Sequence, residues 1–420
     1  MTEPLTVSVV IVSRGRPDAL ARCLLGVSQL RYPAFEVVIV TDRAGAARLW
    51  SMPESIHVKL LRYEEPNISV ARNLGIAEAA GEIIAFIDDD AVPEPSWLTY
   101  LVEPFRSVSV TAAGGFVLGR NGISYQWQAQ SVDYMGLSED IHVDPDRFTI
   151  LTPTAERAIK TQGTNMAVRR VWLAREGGFD PGFRYFLDET DVNLRLAETG
   201  CMTAVVPQAL VHHGFAANAT RTAERVPRDL FEIGASWAVF LDKHCPPGQR
   251  ARALNRARRI ERVRALRHMV AGRLEPRDVR RLMKSFEAGL KDGRARAHRR
   301  MAALGGPEEA FQRFPTAMER PSTVVAGRPW QRQSRLAHAL WERGAGRVVT
   351  EIILSPTAWR HRVRFGADGI WHQCGGLFGK SDRSDSRFAL WSFNRRVSRE
   401  IRRVVNVRLI SREQVESPRR

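Results

Sequence analysis

Three consecutive carboxylates, Asp88-Asp89-Asp90, follow directly on the apolar run Glu82–Ile87. At close range in a partly dry crevice their repulsion costs several kcal/mol at an effective dielectric of ~20. A divalent cation removes that penalty. Mg2+ and Mn2+ favour one or two protein carboxylates together with phosphate oxygens and water. Extended backbone turns Asp88 and Asp90 one way and Asp89 the other. Asp90 is therefore read as a metal ligand, with Asp88 at a ribose or beside the ligand. The rival reading, a solvated acidic loop, is weakened by the apolar strand before the cluster and the Pro93-Glu94-Pro95 turn after it. A second acidic group, Asp188-Glu189-Thr190-Asp191, follows about a hundred residues later. Transfer to a hydroxyl needs a base near the attacking oxygen, and a carboxylate within hydrogen-bond reach can serve. The competing reading is structural, because acids in a first helical turn complement the macrodipole. Arg195 lies one turn from Asp191, the spacing of an intrahelical ion pair.

The elements that must position these residues are legible in the first ninety positions. Val7–Val12 is a continuous β-branched apolar run, the mark of a strand buried on both faces. Leu20, Leu24, Val27 and Leu30 then recur at helical spacing, and FEVVIV (Phe35–Val40) makes a second strand. A short strand over Val58–Leu61, a helix capped by Asn67 or Ser69 and ended before Gly81, and the strand Glu82–Ile87 complete the pattern. Repeated βα units predict a doubly wound, mostly parallel sheet. Ligands in such sheets bind beyond the carboxyl ends of the strands. Arg14, Asp42 and Asp88–Asp90 all lie just past such ends, so one crevice can collect them.

The 420 residues carry a net charge of +17, unevenly placed. Residues 1–215 hold 19 basic and 26 acidic residues, and the remainder holds 44 and 20. Between 250 and 300 there are 18 basic and 5 acidic residues. Surface of that kind attracts phosphate-rich or acidic partners. Four scattered cysteines without a CxxC pair argue against a zinc ribbon or a disulfide framework. No apolar run approaches the ~18–20 residues of a membrane span, and the N-terminus lacks a signal-like apolar core. The expectation is a cytoplasmic chain, peripheral on the inner face of the plasma membrane.

The stretch from Asn67 through Arg72-Asn73 and Gly75 to Asp88-Asp89-Asp90 resembles the family 2 glycosyltransferases. So do Gly163-Thr164-Asn165 with Arg169-Arg170, Gly177-Gly178-Phe179-Asp180, and the segment Phe186–Arg195, in that order over roughly residues 5–215. The resemblance implies a GT-A fold, a Rossmann-like α/β sheet with helices on both faces, and Mn2+ or Mg2+ as cofactor. It implies an inverting displacement in which a nucleotide-sugar donor gives its sugar to a carbohydrate or lipid-linked acceptor, in polysaccharide or glycolipid synthesis. By register Glu189 takes the place of the catalytic base. The family's Glu-Asp order is inverted here, so Asp188 stays a rival, and Asp191 completes the catalytic group. Ser13, Arg14, Asp42, Arg72, Asp88, Asp89 and Asn165 match nucleotide-sugar-binding positions. Thr41 stands where the family has an aspartate. His213, after a strand-like run, joins Asp90 and Asp88 as a metal candidate.

The transferase domain is expected over residues 1–220, a basic helical region over 221–305, a proline-rich linker over 306–330 and a small α+β domain over 331–420. Within the basic region two stripes are expected to pack: Leu254, Ala257, Ile260, Val263, Leu266 and Val270, and Val279, Leu282, Phe286 and Leu290. Residues 250–300 are read first as a helical bundle coated in arginine, the alternative being a helix pair on an anionic membrane surface. Scarce aromatics there argue against nucleic acid. Strand-like pieces follow at Val348–Leu354, His361–Phe365 and Phe388–Trp391. Two rival functions share these features: a metal-dependent nucleotidyltransferase, and a catalytically degenerate transferase domain acting as an adaptor.

Overall fold

A computed structural model describes residues 3–214, 220–296 and 301–411. In chain order the strands are β1 (Val7–Ser13), β2 (Phe35–Thr41), β3 (Val58–Arg62), β4 (Ile83–Asp88), β5 (Ala91–Pro93), β6 (Val110–Leu118), β7 (Tyr125–Trp127), β8 (Gln130–Asp133) and β9 (Ser138–Asp140). They continue with β10 (Thr149–Leu151), β11 (Arg157–Lys160), β12 (Met166–Arg169), β13 (Met202–His213), β14 (Ser322–Gly327), β15 (Val348–Ser355), β16 (Arg362–Phe365) and β17 (Trp371–Gly376). The α-helices are α1 (Pro17–Val27), α2 (Arg43–Leu49), α3 (Ile68–Glu78), α4 (Trp97–Val102), α5 (Arg170–Arg175), α6 (Asp188–Glu198), α7 (Phe231–His244), α8 (Pro247–Val270), α9 (Pro276–Ala295), α10 (Arg332–Gly344) and α11 (Phe393–Arg408).

The main sheet runs β10-β13-β6-β12-β4-β1-β2-β3, with β5 beside β13 and β7 beside β6. β4, β1, β2 and β3 are parallel, β12 runs against both β4 and β6, and β13 returns parallel to β6. The pleat sends Val7, Val9 and Ile11 into a core with α1 and Trp97. Val10 on the other face packs with Ile76 of α3, Trp172 of α5 and Val192 of α6. Helices thus cover both faces, as the repeated βα pattern predicts. Asn67 caps α3 by accepting from the Val70 amide at 3.2 Å. Gly81 turns hard against β1, where a Cβ would meet the Ser8 amide nitrogen at 2.7 Å.

Helices α7, α8 and α9 pack over β8 and α6, around Trp237, Phe240, Leu282 and Phe286. Val279, Leu282, Phe286 and Leu290 are buried as the second stripe predicts. The first stripe is met in part. Ala257 is buried and Leu254 and Leu266 pack against the same core, whereas Ile260 and Val270 are 50% and 84% exposed and Ala253, Glu261 and Ala265 are buried as well. The reason is close approach, which favours small side chains facing the neighbouring helices. The part of this region at 297–300 lies outside the described residues.

The stretch read as a linker is a strap followed by a strand. Phe314 is buried in the main core, its amide bonded to the Phe35 carbonyl at 2.8 Å, and Ala317 bonds to Leu30 at 2.9 Å. Ser322–Gly327 then forms β14, so the second α/β unit begins ahead of residue 331. Its sheet runs β14-β15-β17-β16, parallel except at β16. Phe388–Trp391 is irregular rather than a strand. The last described element, α11, is a helix.

This second unit docks on the first. Leu25 and Val92 share a core with Val363, Phe365 and Trp371. Arg408 grips Glu94 through two bonds of 2.8 Å, with both side chains almost wholly buried. His212 meets the same carboxylate at 2.7 Å. Burial alone would raise Glu94, but the Arg408 guanidinium and then His212 hold it down at about 2.

Candidate active site

The site forms where β1 and β4 end together, because parallel neighbours deliver their carboxyl ends to one edge. Asp88 closes β4, and the chain turns through Asp89 and Asp90 into β5. β13 pairs with β5 so that His213 lies opposite Ala91. That pairing brings the His213 ring to 3.1 Å from Asp90. Asp88, Asp90 and His213 offer ligand atoms within 4.8 Å of one another. Two carboxylates and an imidazole are a donor set suited to a borderline divalent ion such as Mn2+.

Asp89 turns the other way, as alternation requires. It is fully buried, accepting from Ser13 at 2.6 Å and pairing with Arg16 at 2.6 Å. Burial, helped by Asp90, pushes its carboxyl up to about 7 against the pull of Arg16. Arg16 also reaches Asp90 at 3.1 Å. Thr164 donates to Asp88 from the turn before β12.

The second acidic group arrives from α6. Leu187, at φ +66°, leads into the helix in a left-handed conformation that a branched side chain adopts only at a cost of order 1–3 kcal/mol. Asp188 and Glu189 follow and line a cavity of about 710 Å³ together with Asp88, Asp90, Arg72 and His213. That volume is in the range of small-molecule sites. Arg72, projecting from α3, is buried and bonds Asp188, with Asp88 at 3.5 Å and the Phe179 ring at 5.0 Å. Gly163 makes room for it, because a Cβ there would meet the guanidinium at 2.3 Å. Burial and then Asp188 push Glu189 up to about 8. Arg72 thus bonds Asp188, while the neighbouring Glu189 keeps its proton to higher pH.

Other residues singled out in the sequence are placed elsewhere. Asp191 is fully buried behind the cavity, bonded to Arg195 at 2.9 Å, Lys243 at 2.7 Å and His244 at 2.8 Å. Burial opposes ionisation, but Arg195 and then His244 hold this carboxyl well below the usual range. It ties α6 to α7 and faces no substrate space. Asn165 is also fully buried, accepting from Trp97 at 2.7 Å and donating to the Phe116 and Ala209 carbonyls. Asp42 caps α2 and accepts from the Gly15 amide at 2.7 Å. Arg14 is exposed and donates to the Glu64 carbonyl at 2.9 Å. None of these four lines the cavity. Arg16, Thr164 and Gln126 do line it, the last bonded to His213 at 2.9 Å, and the sequence assigned none of them a role at the site. Arg16 follows the same strand end as Arg14, the one signal that could have found it. Arg264 and His268 of α8 complete the far wall.

Carboxylates from two distant segments, a histidine and a buried arginine thus meet at the carboxyl edge of a largely parallel α/β sheet. At that edge Asp88, Asp90 and His213 form a group that could hold a metal ion, where ligands of such sheets bind. Residues 8–175, two fifths of the chain, match the family model described as Glycosyl transferase family 2. Glycosyltransferase AglE of Haloferax volcanii is 30% identical over 118 residues, which are 26% of this chain and 39% of that protein. The glucosyl-dolichyl phosphate glucuronosyltransferase of the same organism is 27% identical over 191 residues, 42% of this chain and 56% of that protein. The chain therefore spans about two fifths to just over half the length of these relatives. Among solved structures, the mannosyltransferase of Pyrobaculum calidifontis in complex with GDP-Man and Mn2+ is 16% identical over 70% of this chain and 88% of that chain, with a TM-score of 0.40.

Proposed function

We propose that this chain is an inverting glycosyltransferase that moves a sugar from a nucleoside diphosphate to a hydroxyl acceptor in polysaccharide or glycolipid synthesis. One observation carries the reading: Asp88, Asp90 and His213 share a single cavity with Asp188 and Glu189. A divalent cation held by Asp88, Asp90 and His213 would neutralise the diphosphate charge that grows as the sugar leaves. Glu189 takes the acceptor's hydroxyl proton as that oxygen bonds the anomeric carbon, and the C–O bond to the diphosphate breaks with its electron pair on the leaving oxygen. Asp188, bound by Arg72, is less free to act as base, which supports Glu189 in that role. Ser13 positions Asp89, and Arg16 bridges Asp89 and Asp90, so the acidic turn is held before substrate arrives.

The outer face of α8 supports peripheral binding to an anionic membrane, where a lipid-linked acceptor would lie. Arg252, Arg259, Arg262 and Arg267 are exposed there beside Ile260 and Val270. Among the described residues no helix is long and apolar enough to cross a membrane.

Nucleoside diphosphates should raise the melting temperature with Mn2+ and not with a chelator. Asp90→Ala should abolish that shift. Glu189→Gln should lower turnover about 10²–10⁴-fold while keeping it. Equal stabilisation of Asp90→Ala and wild type would remove the cation from this cluster.

A further inference from the structure

Asp90 and His213 are the wall between two cavities. The one described above holds Glu189, and behind it lies a second, of about 780 Å³, that extends to the docked C-terminal sheet. Its lining is rich in arginine. Arg22 comes from α1, Arg120 from the turn after β6, and Arg362 and Arg364 from β16. The alternation of β16 buries Val363 and Phe365 against the transferase core and leaves both arginines exposed. Among the described residues Arg22, Arg362 and Arg364 have no ion-pair partner. The acids on this lining are engaged: Asp90 with Arg16 and His213, and Asp368 with His372 at 3.0 Å. An excess of guanidinium groups facing one space is a site for an oxyanion, which each fork can hold through two parallel bonds.

We propose that this second cavity binds an anionic group of the acceptor, a phosphate, diphosphate or carboxylate, which Arg22, Arg362 and Arg364 hold while the acceptor hydroxyl reaches past Asp90 and His213 towards Glu189. The inference rests on the transferase reading above. The C-terminal unit is then part of the substrate site rather than an appended module. A third cavity, of about 590 Å³, continues from Arg362 along Trp359, whose ring is 74% exposed. An open indole beside arginines suits the stacking of a sugar, so an extended acceptor has a path away from the reaction centre.

The test uses the full chain in excess chelator, so that no cation contributes to anion binding. Two probes separate the sources of the anion: geranyl diphosphate for a lipid-linked phosphate, and a glucuronate-containing hexasaccharide for a carboxylate. Calorimetry should show one or both binding wild type, and at least tenfold weaker binding to the Arg362→Ser/Arg364→Ser double variant. Arg120→Ser, in the turn whose Asn121 carbonyl accepts from the Val363 amide, gives a second variant whose weakened binding would support the same site. Both positions of the double variant are exposed, and an unchanged melting temperature checks its fold. Nucleoside diphosphate binding in Mn2+ should match wild type. Failure of both probes to bind wild type, or equal binding by the double variant, overturns the proposal and leaves the transferase reading intact. Loss of nucleoside diphosphate binding in the double variant also overturns it, because the cavity would then serve the donor. A wild-type chain that binds the probes but no nucleoside diphosphate sinks the transferase reading instead.

Discussion

Asp188 and Glu189 are adjacent in sequence and yet meet different surroundings. Arg72 bonds the first, whereas burial and the charge of that first carboxylate push the second up to about 8. A base must be ionised to accept a proton, so transfer at saturating donor should rise with pH through about 8. In Asp188→Asn the neighbouring anion is gone, and the inflection should move down; an unmoved inflection would mean that Glu189 does not set it. The same displacement affects stability with a definite sign. A carboxyl raised in the folded state favours folding below its unfolded value and loses that contribution as pH climbs through its folded one. The contribution of Glu189 is therefore lost progressively from about 4.5 to about 8 and stays lost above that. Residue types and spacing made the acidic groups legible, because three acids after a buried strand need a cation whatever surrounds them. They could not separate Asp188 and Glu189, which line a cavity, from Asp191, which is locked to Arg195, Lys243 and His244. Both kinds of acid sit in one helical turn, and only packing tells which side of the helix meets solvent.

The helices show the same limit at the next scale. α7 and α9 approach so closely that a Cβ on Gly289 would lie 1.9 Å from the Phe231 carbonyl oxygen. Gly289→Leu should force the pair apart and cost at least the 1–3 kcal/mol typical of overpacking, read as a lower midpoint in urea. Hydropathy made the stripe of α9 plain, since Leu282 and Phe286 are large and buried. On α8 it misled in part, because alanines meet the neighbouring helices while Ile260 and Val270 face outward. Those outward residues and their arginines set a further expectation. Vesicles carrying anionic phospholipid should retain the chain at low salt and release it at about 0.5 M, where screening is strong. Retention by neutral vesicles alone would point to apolar insertion instead. The βα repeats of β1 to β4 were legible for the opposite reason, as strands buried on both faces are apolar at every position.

Across the whole molecule, the pairing of Glu94 with Arg408 joins the two α/β units, and no local signal in the sequence announces it. Replacing Arg408 with Leu takes the guanidinium from a buried carboxylate that then keeps His212 alone of these two partners, and should cost about 3–5 kcal/mol. The pH dependence has the opposite sign to that of Glu189. Glu94 is depressed from 4.5 to about 2, so its contribution is full above about 4.5 and is lost as pH falls towards about 2. The depression corresponds to about 3 kcal/mol, and acid unfolding of Glu94→Gln should be correspondingly shallower over that window. A superimposable acid limb in Glu94→Gln would show that the pair does not govern it. The boundary at 306–330 was read as a linker because prolines and small residues mark loops, and nothing local says that Phe314 will be swallowed by a distant core.

The separation of that ion pair sets a condition on synthesis. Glu94 leaves the ribosome 314 residues ahead of Arg408, an interval of roughly 15–60 s at usual elongation rates. Throughout it the early sheet carries an acid that has no guanidinium to meet, and until residue 314 is made the groove meant for Phe314 lies bare as well. A nascent chain stalled before residue 408 should accordingly be cut by protease faster than one that includes α11.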